Sequence, residues 1–301
     1  MTGLTLVLDQ ALLGLLLGHW QLWRNGIVSA GKILLLLPMA YFLESKNAMV
    51  IYGSWFLGNI LSLLVLAYLV SRKRIEWTSF HPQWNIFWEM RSTALAHHVL
   101  NLSLQAAQFA MPVIVTLLLT PEANASFYIA WLIATSFFVI PSALSQTLYA
   151  VSAADSSMLA QKLRFTLRTS FLGVISGGVL ILVLAKFVLG FFNASYAATA
   201  TVSLRILVLA ALPVVIRVHY VTIHQVKRRI KHAAQTFFWM ALLELLLAII
   251  GGKFAGLPGL SIGWVLAMYI EGIWMFSMVY RTASGVEETV MKRTTLPAEE
   301  A

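Results

Sequence analysis

The sequence predicts an all-α polytopic membrane protein, and three observations carry that reading. Long apolar runs separated by short connectors fill most of the chain, and a helix needs roughly 20 apolar residues to cross ~30 Å of hydrocarbon. Of 301 residues, 59% are hydrophobic and 11% charged, well below the ~25% charged share of soluble domains. The basic residues fall almost entirely on every second connector, the asymmetry that orients membrane proteins.

Eight transmembrane helices are expected. Gly26–Leu43 follows Arg24 and carries Ser29, Lys32 and Pro38; Ala48–Val70 is uninterrupted and ends at Arg72-Lys73-Arg74. Ala94–Leu119 opens after Arg91 and holds the clearest polar pattern in the chain. Phe127–Ser152 adds Thr135, Ser142, Gln146 and Tyr149 around Pro141, and Thr169–Phe191 follows Lys162, Arg164 and Arg168. Val202–Ile223 contains Arg205, Pro213, Arg217 and Tyr220 and runs into Lys227-Arg228-Arg229. Ala233–Gly251 and Leu257–Tyr280 each embed one acid, Glu244 and Glu271. A further apolar stretch, Gly3–Leu17, is shorter and carries Asp9; no basic residue precedes it and no small-residue cleavage site follows, so it is no secretory signal. Residues 282–301 are polar and acidic and read as a disordered tail.

The opposite connectors hold only Lys46, Lys186 and Lys253, so the positive-inside bias puts the basic set, and the C-terminus with it, in the cytoplasm. The pI of about 9.9 reflects this asymmetry and not a nucleic-acid partner. Such charges at membrane boundaries favour anionic lipid headgroups.

On Ala94–Leu119, His97, Asn101, Gln105, Gln108 and Pro112 succeed one another at helical steps of four, four, three and four, which stacks them on one face. A polar stripe that long cannot face lipid cheaply; it serves interhelical hydrogen bonds or lines a water-filled cavity. Arg217, Tyr220 and His224 share a second face. An arginine this deep needs a partner or a ligand, and its candidate structural partners are Glu244 and Glu271. Arg205 and Lys32 lie nearer the ends of their spans, where a long side chain can reach the interface. Prolines 38, 112, 141 and 213 sit near the middle of four spans and favour kinks.

There is no cysteine, so neither a disulfide nor a thiolate metal site is possible. His97 and His98 are adjacent and diverge by ~100° on a helix, a poor ligand pair. Phosphate-loop, dinucleotide, zincin and nucleophile-elbow signatures are missing. No cofactor and no catalytic residue is expected. Asn124-Ala-Ser and Asn193-Ala-Ser match a glycosylation pattern short enough to arise by chance.

Several stretches taken in order resemble polysaccharide flippases of the multidrug, oligosaccharidyl-lipid and polysaccharide exporter superfamily. They are Leu8-Asp9-Gln10-Ala11-Leu12, Leu22-Trp23-Arg24-Asn25, Ile140-Pro141-Ser142-Ala143-Leu144-Ser145-Gln146, Phe192-Asn193-Ala194-Ser195-Tyr196, Leu204-Arg205-Ile206-Leu207, Gly256-Leu257-Pro258-Gly259 and Ile262-Gly263-Trp264. The likeness is one of spacing and character over most of the chain. Such flippases have twelve to fourteen spans in two bundles. The resemblance therefore implies a partial N-terminal bundle in residues 1–92 and a six-helix C-terminal bundle in residues 93–281, with further spans supplied upstream or by another polypeptide.

The resemblance further implies a multi-pass inner-membrane protein that moves a polyprenyl-diphosphate-linked oligosaccharide between leaflets for cell-surface polysaccharide biosynthesis, beside other glycan-assembly membrane proteins. The diphosphate would meet Arg217, Arg205 and Lys32, and the sugars His97, Asn101, Gln105, Gln108 and Gln146. The alternatives are a cation-coupled drug antiporter of the same superfamily, which would use Glu244 or Glu271, and a non-transporting assembly subunit or truncated flippase. A membrane-embedded glycosyltransferase would need a large outward loop, and the outward connectors are short.

Overall fold

The computed structural model describes residues 18–42, 48–72 and 84–285, and within the first 17 residues Thr5, Leu8, Asp9 and Leu12. Among these the chain is helical throughout, apart from turns and one 3₁₀ turn at Ser156–Met158. It divides into two units, residues 1–83 and 84–301.

The first unit pairs α1 (Gly18–Phe42) with α2 (Ala48–Arg72). Small residues let the two backbones meet, with a Cβ on Gly31 coming 3.4 Å from the Gly58 Cα. The buried hydroxyls of Ser54 and Ser62 are satisfied within α2, on the carbonyls of Ile51 and Asn59. Helix α1 begins eight residues before the expected span. Arg24 does not end it because the guanidinium is neutralised locally: Nε donates to Asp9 Oδ1 at 2.8 Å, and Nη2 pairs with Oδ2. Asp9 thus has a structural partner; most of Gly3–Leu17, and the connector 73–83, lie outside the described residues.

The second unit holds α3 (Trp84–Leu118), α4 (Pro121–Ser136), α5 (Val139–Ala154), α6 (Leu159–Phe192), α7 (Ala194–Val208), α8 (Ala211–Val226) and α9 (Ile230–Ser284). Two expected spans are broken. The α4/α5 break falls at Phe137–Phe138 and the α7/α8 break at Leu209–Ala210, each about one turn before a proline. Pro141 and Pro213 each lack an N–H, and their rings crowd the carbonyls of residues 137 and 209, four positions back. The α7/α8 pair bends by 44°. The freed Leu209 carbonyl accepts the Tyr269 hydroxyl at 3.2 Å. Pro38 and Pro112 stay within continuous helices.

Helix α9 turns back on itself at Ala255 and Gly256, the latter at φ 59, ψ −142, where a side chain would be strained. Its arms, residues 230–254 and 257–284, are antiparallel: Gly251 meets Gly259 and Gly263 meets Leu247. The second arm continues through Ser284, so residues 282–284 belong to a helix capped by Gly285 at φ 74 and not to the tail. Residues 286–301 lie outside the described set.

By length and composition, four described helical stretches can cross a membrane: Trp88–Leu118, Pro121–Ala153, Leu159–Phe192 and Ile230–Ser284. The bent α7/α8 pair makes five. The expected eight are therefore not all reproduced: in the first unit the described apolar helix is the shorter Ile51–Val65, whereas the last two expected spans are present as the two antiparallel arms of α9 within Ile230–Ser284.

In hydrocarbon, apolar side chains gain little by leaving lipid for protein, so close packing and polar satisfaction hold such a bundle together. Two large apolar clusters fill it, with a small third one at Val174, Ala211 and Val215. One gathers Met111, Phe127, Trp131, Leu189, Leu204 and Trp264, and the other Leu100, Leu148, Leu163, Tyr220, Phe237 and Met275. Hydroxyls cross between helices: Ser145 and Thr222 meet at 2.5 Å, and Thr166 and His219 Nε2 at 3.1 Å. Each such bond contributes on the order of 0.6 kcal/mol.

The helix ends sort into two sets. Thr120, whose hydroxyl caps α4, Asn193, whose carboxamide caps α7, and the Gly256 turn follow alternate legs of the bundle; Ser157 and the Lys227–Arg229 turn follow the others. With the basic set facing the cytoplasm, single cysteines at Asn124, Asn193 and Gly256 should react with a membrane-impermeant thiol reagent from outside, and cysteines at Ser157 and Ile230 only after permeabilisation. Labelling of both sets from one side would overturn this orientation.

Candidate functional site

Helix α3 presents three faces. Leu100, Ala107, Met111 and Val115 are buried against the bundle, while Leu102, Phe109, Val113 and Leu117 are exposed and apolar. The polar stripe runs along the edge between them. His97 and Gln108 are half-buried, and Asn101 and Gln105 are exposed. Only Gln108 is tied to another helix, its Oε1 accepting from Trp131 Nε1 at 3.0 Å. Gln105 reaches back to the Asn101 carbonyl at 3.4 Å, and Thr116 to that of Pro112 at 2.9 Å. Interhelical bonding therefore accounts for Gln108 and leaves Asn101 and Gln105 with amide groups turned out of the bundle. Such groups are stable at membrane depth only against water or another polar surface.

The second site is closed. Arg217 on α8 is 6% exposed, Glu244 on the first arm of α9 2%, and Glu271 on the second arm 0%. Arg217 Nη1 donates to Glu244 Oε1 at 2.6 Å and to Met268 Sδ at 2.9 Å, and lies 3.4 Å from Glu271 Oε2. The other Glu244 oxygen accepts from Trp264 Nε1 at 2.7 Å. The Phe237 ring lies 5.0 Å from the guanidinium carbon, within cation–π reach. Met268 belongs to one apolar cluster and Phe237 to the other, so the charged triad sits between them. The ion-pair alternative for Arg217 is thus realised. A diphosphate would have to enter a site in which the guanidinium is buried and Glu244 already holds Nη1.

The remaining sequence-predicted residues are dispersed. Arg205 is exposed on α7, with Nε donating to the Leu182 carbonyl of α6 at 3.0 Å. It stands twelve residues from Arg217, about 18 Å of helix rise and a bend away. Lys32 belongs to the first unit, with Nζ 5.0 Å from the Trp55 ring centre. Gln146 is exposed on α5, while its neighbour Ser145 is buried and bonded to Thr222 and to the Val218 carbonyl.

Sequence reasoning missed Trp264 and Met268 as partners of the triad. The signal was present, because in a hairpin turning near residue 255 position 244 faces position 266, flanked by 264 and 268. An apolar cavity of about 250 Å³ adjoins the α7/α8 bend, lined by Phe171, Leu212, Pro213, Ile216, Tyr269 and Phe276 among others. It suits a hydrocarbon chain and offers no site for an ion. Among the described residues no cluster of three or more metal-ligating side chains occurs.

By sequence, no family model and no curated protein matches the chain. By structure, it matches an outward-facing multidrug resistance MATE family transporter of the MOP superfamily with a TM-score of 0.75 at 18% identity, covering 89% of this chain and 63% of that one. A MATE protein in the straight conformation gives a TM-score of 0.75 at 16% identity, covering 90% and 64%. An inward-facing MATE transporter gives 0.66 at 15%, covering 89% and 66%. The fold is that of MATE transporters of the MOP superfamily, and the chain spans less than two thirds of their length.

Proposed function

We propose that this chain is the transport bundle of a membrane exporter that moves an organic solute along the polar edge of α3, in the manner of a drug antiporter. The observation that carries the reading is the outward-turned pair Asn101 and Gln105 at membrane depth, on a bundle whose structural neighbours are multidrug transporters. Two amides beside the apolar face of Leu102 and Phe109 suit an amphiphilic solute, which needs a few hydrogen bonds within an otherwise apolar surface.

The lipid-linked oligosaccharide is the second reading. Amides that serve a drug serve sugar hydroxyls equally, and the apolar cavity at the α7/α8 bend has the chemistry of a prenyl site. Against it stand the cations proposed for the diphosphate: Arg217 is held by Glu244, Arg205 by a carbonyl, and Lys32 rests over Trp55.

The test uses the full chain in proteoliposomes, following ethidium export and, separately, translocation of a fluorescent prenyl-diphosphate sugar. Ethidium export is expected, with Asn101→Ala/Gln105→Ala slowing it about tenfold through loss of two neutral hydrogen bonds. Translocation of the lipid-linked sugar without ethidium export would transfer the proposal to the second reading. Failure of both in correctly inserted protein would overturn transport by this chain alone.

A further inference from the structure

The apolar cavity beside the α7/α8 bend has an open side and a charged end. Pro213 and Ile216 of α8 are buried and form its floor, while Phe171 of α6 faces Ile273 and Phe276 of the second α9 arm. Ile273 and Phe276 are also exposed on the outside of the bundle, beside the exposed Leu172 and Tyr280. The cavity is therefore a groove open to the surface that meets hydrocarbon. A bare groove there forfeits dispersion contacts that a flexible chain restores.

The charged end follows from the register of the two walls. Arg164 Nη1 of α6 donates to the Ala283 carbonyl of the second arm at 2.8 Å. Seven residues from that contact along each helix, about 10 Å of rise, stand Phe171 and Phe276. Arg168 lies between, one turn from Arg164 and one turn from Phe171, so both arginines share the helical face that Phe171 presents to the groove.

The pair lacks a counter-charge. Both arginines are exposed, and like charges four residues apart on a helix repel. No aspartate or glutamate occurs in α6, and the second arm's single acid, Glu271, is buried. Two guanidiniums one turn apart match the oxygens of a phosphate. Arg168 sits immediately before the expected span beginning at Thr169, at the level where a lipid headgroup lies.

We propose that this groove is a binding site for an anionic glycerophospholipid, with the phosphate on Arg164 and Arg168 and one acyl chain lying past Phe171 and Phe276 against α8. The occupant is a bilayer lipid because the groove opens sideways to the bilayer and its cations stand at one interface. With the basic set facing the cytoplasm, that is the leaflet rich in anionic lipid. The site stands apart from the drug-export reading. It gives to a bilayer lipid the cavity that the second reading gives to a prenyl chain.

Native mass spectrometry of the full chain, released from micelles holding equal dioleoyl phosphatidylglycerol and dioleoyl phosphatidylcholine, tests the proposal. The two lipids share their chains and differ in headgroup charge. The wild type should retain phosphatidylglycerol about tenfold over phosphatidylcholine, and Arg164→Gln/Arg168→Gln should lose that preference. If the double variant is unstable, Arg168→Gln alone should lower the preference about fivefold. Arg281→Gln is the control: it removes a charge from the same end of the bundle, about 140° around the second arm from Phe276, and should change nothing. Leu212→Trp, which fills the groove, should reduce retention of both lipids.

Equal retention of the two lipids by the wild type would overturn the proposal, as would an equal loss in Arg281→Gln, the mark of diffuse surface charge. Full retention in folded Leu212→Trp would remove the groove from the account. If that variant does not fold, a phosphatidylglycerol carrying a photoreactive acyl chain should cross-link to the wild type at Phe171 or Phe276, and adducts confined to other helices would contradict the site. Displacement of phosphatidylglycerol by an equal concentration of a long-chain prenyl phosphate would also overturn it and pass the groove to the second reading.

Discussion

Alanine at Arg217 should cost the folded protein about 3–5 kcal/mol, because it leaves Glu244 buried with a single indole donor and Glu271 with no cation at all. The expected readout is a collapse in detergent-resistant, monodisperse protein. Lysine should rescue only in part, since an ammonium lacks the planar fork and the stacking face that Phe237 meets. Removing the stranded charges as well, in Arg217→Ala/Glu244→Gln/Glu271→Gln, should recover most of the loss. Normal abundance of Arg217→Ala together with loss of export would contradict the ion-pair role and return Arg217 to the substrate.

The second large effect belongs to the crossing of the α9 arms. A Cβ on Gly263 would overlap the Leu247 carbonyl, and one on Gly251 that of Gly259. The obstruction is backbone in both cases, so no side-chain rotation relieves it. Gly263→Leu should therefore force the arms apart and cost about 1–3 kcal/mol or more, moving Trp264 off Glu244 and blue- or red-shifting its emission. Gly26→Ala is the control, since nothing lies within 4 Å of the added methyl. Equal thermal stability of the two variants would show that the arms do not pack at these glycines.

Much of the helical framework was legible in the apolar runs, but apolarity marks where a helix meets lipid and not where it ends. Helix α3 starts at Trp84, ten residues before the expected span, and α6 at Leu159, also ten before. In each case the amphipathic extension contains no breaker. Prolines gave the same partial information. Pro141 and Pro213 break their spans whereas Pro38 and Pro112 do not, and at Pro213 the difference lies in tertiary structure: a tyrosine from another helix takes the carbonyl the proline frees. The stripe on α3 was readable from its period alone, although which member turns inward was decided by Trp131. Arg217 was recognisable as a charge needing a partner. That it binds Glu244 closely and Glu271 loosely depends on rotamers, which no spacing encodes, although the hairpin register does bring Trp264 to Glu244.

Water access along α3 is the most direct test of the transport account. In the naturally cysteine-free chain, single cysteines at Asn101 and Gln105 should be alkylated by small hydrophilic thiol reagents in intact membranes, with Gln108, tied to Trp131, reacting more slowly. Cysteines at Leu104, half-buried, and at Val113, on the exposed apolar face, should be protected. That pattern places a hydrated path against the polar edge, as the account predicts; equal protection at Asn101, Gln105 and Val113 would show the edge to be dry and contradict it.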